Sequence, residues 1–389
     1  MTAKEQRLIY LDYHATTPCD RRVAQKVLWA MTDGFGNASS TDHAIGDAAE
    51  DAAKEAKGHI ADLVGAAPRD IIFTSGSTES INLAIQGTIQ HLENKGIHPH
   101  IALSAVEHKA VLDTCLALEE QGRVKLSILP VDAQARIDLA QLEQGCASGI
   151  HLLCVMAANN EVGTIYPIDK IAHVAQTYGV PFLCDASQAI GKVPIHFQDW
   201  GITMLSLSAH KFYGPQGVGA LVVKRGHPLE PLLYGGGHQR GLRSGTLNLP
   251  GIVGLGEACR LRALEMEEDE RAIGEKRDRL QKLLTEKIPG LVVNGDQENR
   301  LAGNLHISIP GIPNGAVIAR VRHQLAISTG SACSSGVETA SHVLKAMALG
   351  EEVIEGALRI GLGKYTTDGE IEDAAELIGN TVSQIRALL

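Results

Sequence analysis

Seven short apolar runs recur between residues 70 and 225: DIIFTS (70–75), HIALSA (100–105), KLSILPV (125–131), HLLCVMA (151–157), VPFLCDAS (180–187), ITMLSLSA (202–209) and GALVVKR (219–225). Runs of this length read as strands, and stretches of helical pattern separate them, with helices expected from Glu79 and from His108. This alternation constrains the fold more than any other feature. A strand reaches a parallel neighbour only through a long crossover, usually a helix, so the repeated pattern predicts a mainly parallel sheet. The last two runs are joined by KFYGPQGVG, too short for a crossover, which predicts one antiparallel strand at an edge.

The texture changes near Cys259. RLRALEMEEDERAIGEKRDRLQKLLTEKI reads as a long charge-rich helix, most of whose charges are solvated, leading to a second unit. That unit holds strand-like NLHISIP (304–310) and ALRIGLG (357–363) and helix-like NGAVIARVRHQL (314–325). Its last helix opens at TTDGE, where Thr367 and Glu370 form a capping-box pattern. A chain of 389 residues exceeds the size at which single cores stop growing. The expected architecture is α/β, with a mainly parallel seven-stranded sheet in a large domain over 17–262 and a smaller α+β C-terminal domain formed by 1–16 and 263–389.

A net charge of −10 without any Lys/Arg block argues against direct nucleic-acid binding. The leading MTAKEQRLIYLDY has no apolar run long enough for a signal peptide, and no stretch reaches the ~18 apolar residues of a membrane span. Seven cysteines, an odd number with no CxxC, fit a reducing, cytoplasmic setting and give neither a disulfide framework nor a zinc pattern. Cys154 and Cys184 sit in apolar runs and read as core. Cys333 is different, because STGSACSSG (328–336) wraps it in serine and glycine.

Several expected strands end in polar groups, which a parallel sheet would bring to one carboxyl edge. TSGSTES (74–80) runs from a strand into a helix, so Gly76, Ser77 and Thr78 can offer N–H groups and hydroxyls to an anion, although the same residues also make an ordinary cap. EHK places His108 at the start of a helix, and ANNEVG (158–163) places Asn159 and Asn160 at a strand end. Asp185 ends another strand and Lys211 follows the next, in SAHKFYGP; alone they read as a helix cap and a surface cation. Together they describe more. A desolvated lysine can lose its proton and attack an aldehyde, and Ser208 and His210 beside it can hold a phosphate. An aspartate can keep a pyridine nitrogen protonated, and Gln188 can reach a phenolic oxygen. The set suggests pyridoxal phosphate (PLP).

LDYHATTP (11–18), FTSGSTES, EHKAVLDTC, NNEVG, DASQ, SAHKFYGPQGVGAL, GGGHQRGLRSGT and STGSACSSG occur in this order over most of the chain. They resemble the motifs of class I (IscS/NifS-type) cysteine desulfurases, PLP enzymes of aminotransferase fold type I. The pairing of SAHKFYGP with STGSAC is specific, since other fold type I families carry the lysine without the cysteine loop. The resemblance implies that Lys211 carries PLP as a Schiff base and then acts as base at the substrate Cα. It implies that Asp185 and Gln188 tune the ring, while His108 stacks on it and moves protons. Gly76, Ser77, Thr78, Ser208 and His210 would hold the phosphate, joined by Thr246 from the other subunit of an obligatory homodimer. Asn160 would line the cofactor and, with Arg359, grip the substrate carboxylate, a task that suits a guanidinium.

In this resemblance Cys333, on a loop expected over 326–340, is the nucleophile. It would take the sulfur of L-cysteine as a persulfide, release L-alanine, and pass the sulfur to an acceptor protein such as an iron–sulfur scaffold, or toward tRNA or cofactor thiolation. No intrinsic metal is implied; Cys333 would ligate iron only in passing, during cluster assembly. His14 varies in the family and receives no role. Selenocysteine lyase, or another fold type I PLP reaction such as an aminotransferase, stays open beside this reading, as does a catalytically idle sulfur-relay scaffold.

Overall fold

The computed structural model describes residues 8–330 and 340–388; Cys333 lies outside them. In chain order come β1 (Ile9–Tyr10), α1 (Arg21–Thr32), α2 (Ala44–Val64), β2 (Ile71–Thr74), α3 (Ser77–Asn94), β3 (His100–Ser104), α4 (Lys109–Glu120), β4 (Lys125–Leu129) and α5 (Leu139–Ala147). Next are β5 (Leu152–Met156), α6 (Ile168–Thr177), β6 (Phe182–Asp185), α7 (Phe197–Trp200), β7 (Met204–Ser208), β8 (Gly219–Val223) and α8 (Leu249–Lys287). The remainder is β9 (Val292–Val293), β10 (Asn304–Ser308), α9 (Asn314–Val321), β11 (Leu325–Ala326), α10 (His342–Ala346), α11 (Glu351–Glu355), β12 (Ala357–Gly361) and α12 (Asp368–Arg386).

All seven apolar runs are strands of one sheet, ordered β2-β8-β7-β6-β5-β3-β4. Five of them, β3 to β7, run parallel, and β8 is antiparallel to both neighbours, β7 and β2. The expectation of an antiparallel edge strand is therefore half corrected: β8 reverses, but it lies inside the sheet. The short link after β7 forces the reversal. β2 then covers the free side of β8, from Ile71 opposite Val222 to Thr74 opposite Gly219, and itself forms the edge. Central strands are buried on both faces, as a helix-covered sheet requires. Along β5, Leu153 and Val155 join the core shared with α2 and α8. Leu152 and Cys154 point the other way, into the core shared with α3 and α4.

A smaller C-terminal domain has its own core, formed by Leu305, Ile307, Leu358, Ile360, Ile371 and Ile378 around the antiparallel sheet β12-β10-β9. The first described strand packs with it. β1 pairs with β11, and Leu11 is buried in the same core. Helix α8 links the two bodies and begins earlier than the charge pattern suggests. Its first turns, LPGIVGLGEAC, hold Pro250, tolerated where no intrahelical N–H bond is made, and an Asn248 cap that accepts from Gly251 N at 3.2 Å. Gly256 lets Ala56 of α2 approach, since a Cβ there would meet Ala56 Cα at 2.6 Å. Leu255 and Leu261 serve the large core, Ile273 and Leu280 the small one. We propose the domain division at 262, inside this continuous helix. Among the described residues, no helix is long and apolar enough to cross a membrane.

Candidate active site

The parallel strands end along one edge, and there a cleft of about 790 Å³ opens between the sheet and the small domain. Ser75 to Glu79 follow β2, His108 follows β3, Asn160 follows β5, Asp185 and Gln188 end β6, and Ser208, His210 and Lys211 end β7. All of these line the cleft, together with His14 from the N-terminal segment and Arg359 from β12.

The anion cup is built at the start of α3. Gly76 precedes the helix at φ 154°, a conformation that side chains rarely adopt, and the first-turn N–H groups of Ser77 and Thr78 have no intrahelical acceptor. Gly219 of β8 lets this turn settle against the sheet: a Cβ there would lie 2.4 Å from the Leu207 carbonyl oxygen and 2.7 Å from Gly76 Cα. Ser208 faces Gly76. His210 Nδ1 lies 3.1 Å from Thr16 Oγ1, and burial, then the nearby Lys211 and Lys192 cations, push its pKa down to about 4. It is a neutral imidazole with a ring N–H to donate.

The Lys211 amine donates to the carbonyl oxygens of His14 (2.8 Å) and Ala15 (2.9 Å). Burial first, and then Lys192 and Arg359, bring its pKa down to about 7, against a weaker opposite pull from Asp185 and Asp12. Much of the amine is thus free of its proton at neutral pH. Asp185 is buried; Ser187 N donates to its Oδ1 at 3.0 Å and Ser187 Oγ donates to the same oxygen. Both bonds fall on Oδ1, which leaves Oδ2 for a protonated ring nitrogen. His108 caps α4 by accepting from Ala110 N at 3.1 Å through Nδ1, so Nε2 carries the proton of the neutral ring. Protein around the ring lowers its pKa.

Arg359 is pinned by Asp12 Oδ1 (3.0 Å) and the Asn160 carbonyl (3.1 Å), while its buried Nε has no partner among the described residues. Gln188 donates from Nε2 to the His14 carbonyl at 2.9 Å. Thr246 is exposed and absent from the wall of its own chain's cleft. Five described cysteines, Cys115, Cys146, Cys154, Cys184 and Cys259, are buried; Cys19 is exposed, and none of the six lines the cleft. Gly330, Ala340, Ser341 and His342, the described residues on either side of the Cys333 segment, do line it.

Sequence reasoning does not single out several other residues in and behind the cleft. Glu161 Oε2 accepts from Ser341 Oγ at 2.6 Å, and burial raises its carboxyl pKa. Glu107 lies wholly buried behind the site; its Oε1 accepts from Ser104 Oγ (2.7 Å) and Met156 N (2.9 Å), and burial pushes its pKa up to about 8. Lys192 donates to Gln188 Oε1 at 3.1 Å. The signals for the two glutamates are NNEVG and EHK, where the neighbouring asparagines and histidine are the more conspicuous residues.

Unpaired N–H groups at the start of α3, a carboxylate with one free oxygen and a lysine whose pKa burial brings down to about 7 fit PLP, and they define the site of a PLP-dependent enzyme. The chain belongs to the aminotransferase class-V family, whose model matches residues 9–373. It is 42% identical over 382 residues to a cysteine desulfurase IscS of Anaeromyxobacter sp. (strain Fw109-5), covering 98% of this chain and 94% of that one. A cysteine desulfurase IscS of Rickettsia bellii is also 42% identical, covering 98% and 92%. Among solved structures, a NifS-like protein superposes with a TM-score of 0.90 at 33% identity, covering 97% of this chain and all of that one. SspA in complex with cysteine superposes with a TM-score of 0.81 at 35% identity, covering 92% and 99%.

Proposed function

We propose that this protein is a PLP-dependent cysteine desulfurase that converts L-cysteine to L-alanine and keeps the sulfur as a persulfide on Cys333. The observation that carries the proposal is the placing of Gly330 and Ala340, which flank the Cys333 segment, in the same wall system as Lys211, Asp185 and Arg359. The relatives named cysteine desulfurase support the substrate class.

When bound, PLP supplies the electron sink that loosens the substrate's Cα proton. The chain does the rest. Gly76, Ser77, Thr78, Ser208 and His210 hold the phosphate, and Asp185 keeps the ring nitrogen protonated. Lys211, poised near neutrality, attaches the cofactor and, once displaced, takes the Cα proton. Arg359 and Asn160 fix the substrate carboxylate. His108 stacks on the ring and exchanges protons with the substrate. The Cys333 thiolate attacks the substrate sulfur: an S–S bond forms as Cβ–Sγ breaks, Cβ takes up a proton, and the Lys211 ammonium returns a proton to Cα to complete alanine. Deprotonation comes first, since an exposed thiol has a pKa near ~8.5.

The persulfide then goes to an acceptor protein, such as an iron–sulfur scaffold or a thiolation carrier, in the cytoplasm. A homodimer in which Thr246 reaches the partner's phosphate completes the site. Leu28, Met31 and Phe35 near α1, and Tyr234 ahead of Thr246, are exposed apolar groups that support such a contact. The test is Cys333→Ala: the holoenzyme is expected to keep its visible absorption and its spectral response to L-cysteine while alanine and sulfide production stop. Undiminished alanine production would point to another PLP reaction.

A further inference from the structure

Glu79 puts a negative charge beside a site that must hold a phosphate. It is the third residue of α3, whose first turn carries the N–H groups of Ser77 and Thr78, and it lines the cleft. Its Oε2 accepts from Ser75 N at 2.7 Å, so the carboxylate is bonded to the turn that presents those groups. The bond has a use. It occupies the N–H just ahead of Gly76 and braces a turn whose φ of 154° side chains rarely adopt. An acid in the first helical turn also suits the helix dipole. The charge is the difficulty. Ser75 and Ser77 are two residues apart, so the carboxylate lies on the order of 10 Å from an anion held in the cup, about one Debye length at ordinary ionic strength.

Arg243 answers that charge. Its Nε donates to Glu79 Oε1 at 2.8 Å and its NH2 group to Oε2 at 3.3 Å, the two-point pairing that a planar guanidinium makes with a carboxylate. Among the described residues Arg243 is the ion-pair partner of Glu79, and both side chains are mostly shielded from solvent. Burial works against the Glu79 charge, but Arg243 and the Ser75 N–H overcome it and hold the carboxyl below its usual pKa. Glu79 is therefore ionised beside the cup.

The segment between β8 and α8 delivers Arg243, and separate contacts hold that segment in place. Four residues earlier the Gln239 amide pairs with both backbone groups of Phe73 on the edge strand β2. Phe73 N donates to Oε1 at 2.7 Å, and Nε2 donates to the Phe73 carbonyl at 2.9 Å. Gln239 and Arg240 sit at φ 51° and 64°, left-handed backbone that persists only where the surroundings fix it. Leu242 then packs on the core shared with α3 and α4. We propose that Arg243 is a positioning residue for the cofactor: it cancels the charge of Glu79, so that this carboxylate braces the phosphate turn without repelling the phosphate. The inference rests on the PLP reading above.

The test reloads the full chain, freed of its cofactor, with two aldehydes: PLP, and pyridoxal, which lacks the phosphate. Binding of each is read from visible absorption. Arg243→Gln removes the cation and keeps a donor for Glu79. It is expected to weaken PLP by roughly ten- to a hundredfold while pyridoxal binds as it does to the parent. Added salt is expected to narrow that gap. The double variant Glu79→Gln with Arg243→Gln, which removes both charges, is expected to bind PLP nearly as tightly as the parent. Equal weakening of PLP and pyridoxal, or no weakening of either, overturns the proposal. So does a double variant as weak as Arg243→Gln alone, which would make the pair an anchor for its segment and not a balance of charge. A parent chain that forms no visible band with either aldehyde overturns the underlying PLP reading instead.

Discussion

Lys211→Met in the protein stripped of PLP measures the desolvation on which the chemistry depends. In the folded chain the Lys211 pKa falls from 10.5 to about 7, chiefly through burial. The unfolded chain keeps the higher value, so between these limits it binds one more proton than the folded chain. Folding stability then rises with pH, by about 1.4 kcal/mol per pH unit, and the contribution is lost again as pH falls toward 7. Across the whole window this amounts to roughly 5 kcal/mol; water in the cleft screens the partly open side chain, and about half of that is the expected observable. The assay is urea unfolding of parent and Lys211→Met at pH steps from 7 to 10, with unchanged m-values required. The variant is expected to be the more stable protein at pH 7, with its advantage shrinking as pH rises. Parallel stability curves would show that Lys211 is an ordinary solvated lysine and would remove the physical basis for its reactivity.

Two further changes test the scaffold. Gly219→Ala puts a methyl group 2.4 Å from the Leu207 carbonyl and 2.7 Å from Gly76 Cα, so it is expected to cost about 1–3 kcal/mol and to loosen the phosphate cup. Thermal unfolding and PLP dissociation check this, and a wild-type melting temperature with unchanged PLP retention would refute it. Glu107→Gln mimics the protonated carboxyl that burial maintains up to about pH 8. The folded parent binds a proton that the unfolded chain has lost, so the parent loses stability relative to the variant as pH climbs from 4.5 to about 8. Melting temperatures of the pair across that range carry the readout, and a constant difference would mean that Glu107 is ionised.

Much of this fold is legible in the amino-acid sequence, for a physical reason. Strands buried on both faces are largely apolar, and β5, β8 and β6 up to its terminal Asp185 are continuous apolar runs, while β7 interleaves Ser206 and Ser208. Strand order is not legible, because the placing of β2 outside β8 depends on pairing across the sheet. Helix α2 is hard to read because its buried stripe is mostly alanine, at Ala49, Ala53, Ala56 and Ala61, which contrasts weakly with its surroundings. β1, β9 and β11 hold two residues each, too few for a period to show.

The site divides in the same way. Lys211, Asp185, His108 and the Gly76–Thr78 cup can be read because each sits where a strand gives way to a turn. The partnerships that tune them cannot. Arg359 meets Asp12, and His14 meets Gln188 and the Lys211 amine, across long stretches of the chain.

The central claim is that Cys333 carries the sulfur. Holoenzyme is incubated with L-cysteine, its thiols and persulfides are trapped by alkylation, and the peptides are mapped by mass spectrometry. The account predicts the added sulfur on the Cys333 peptide. Cys115 and Cys259 are fully buried, and Cys19 lies away from the cleft, so none of them is positioned to take it. Sulfur found on one of those three, with Cys333 unmodified, would contradict the account.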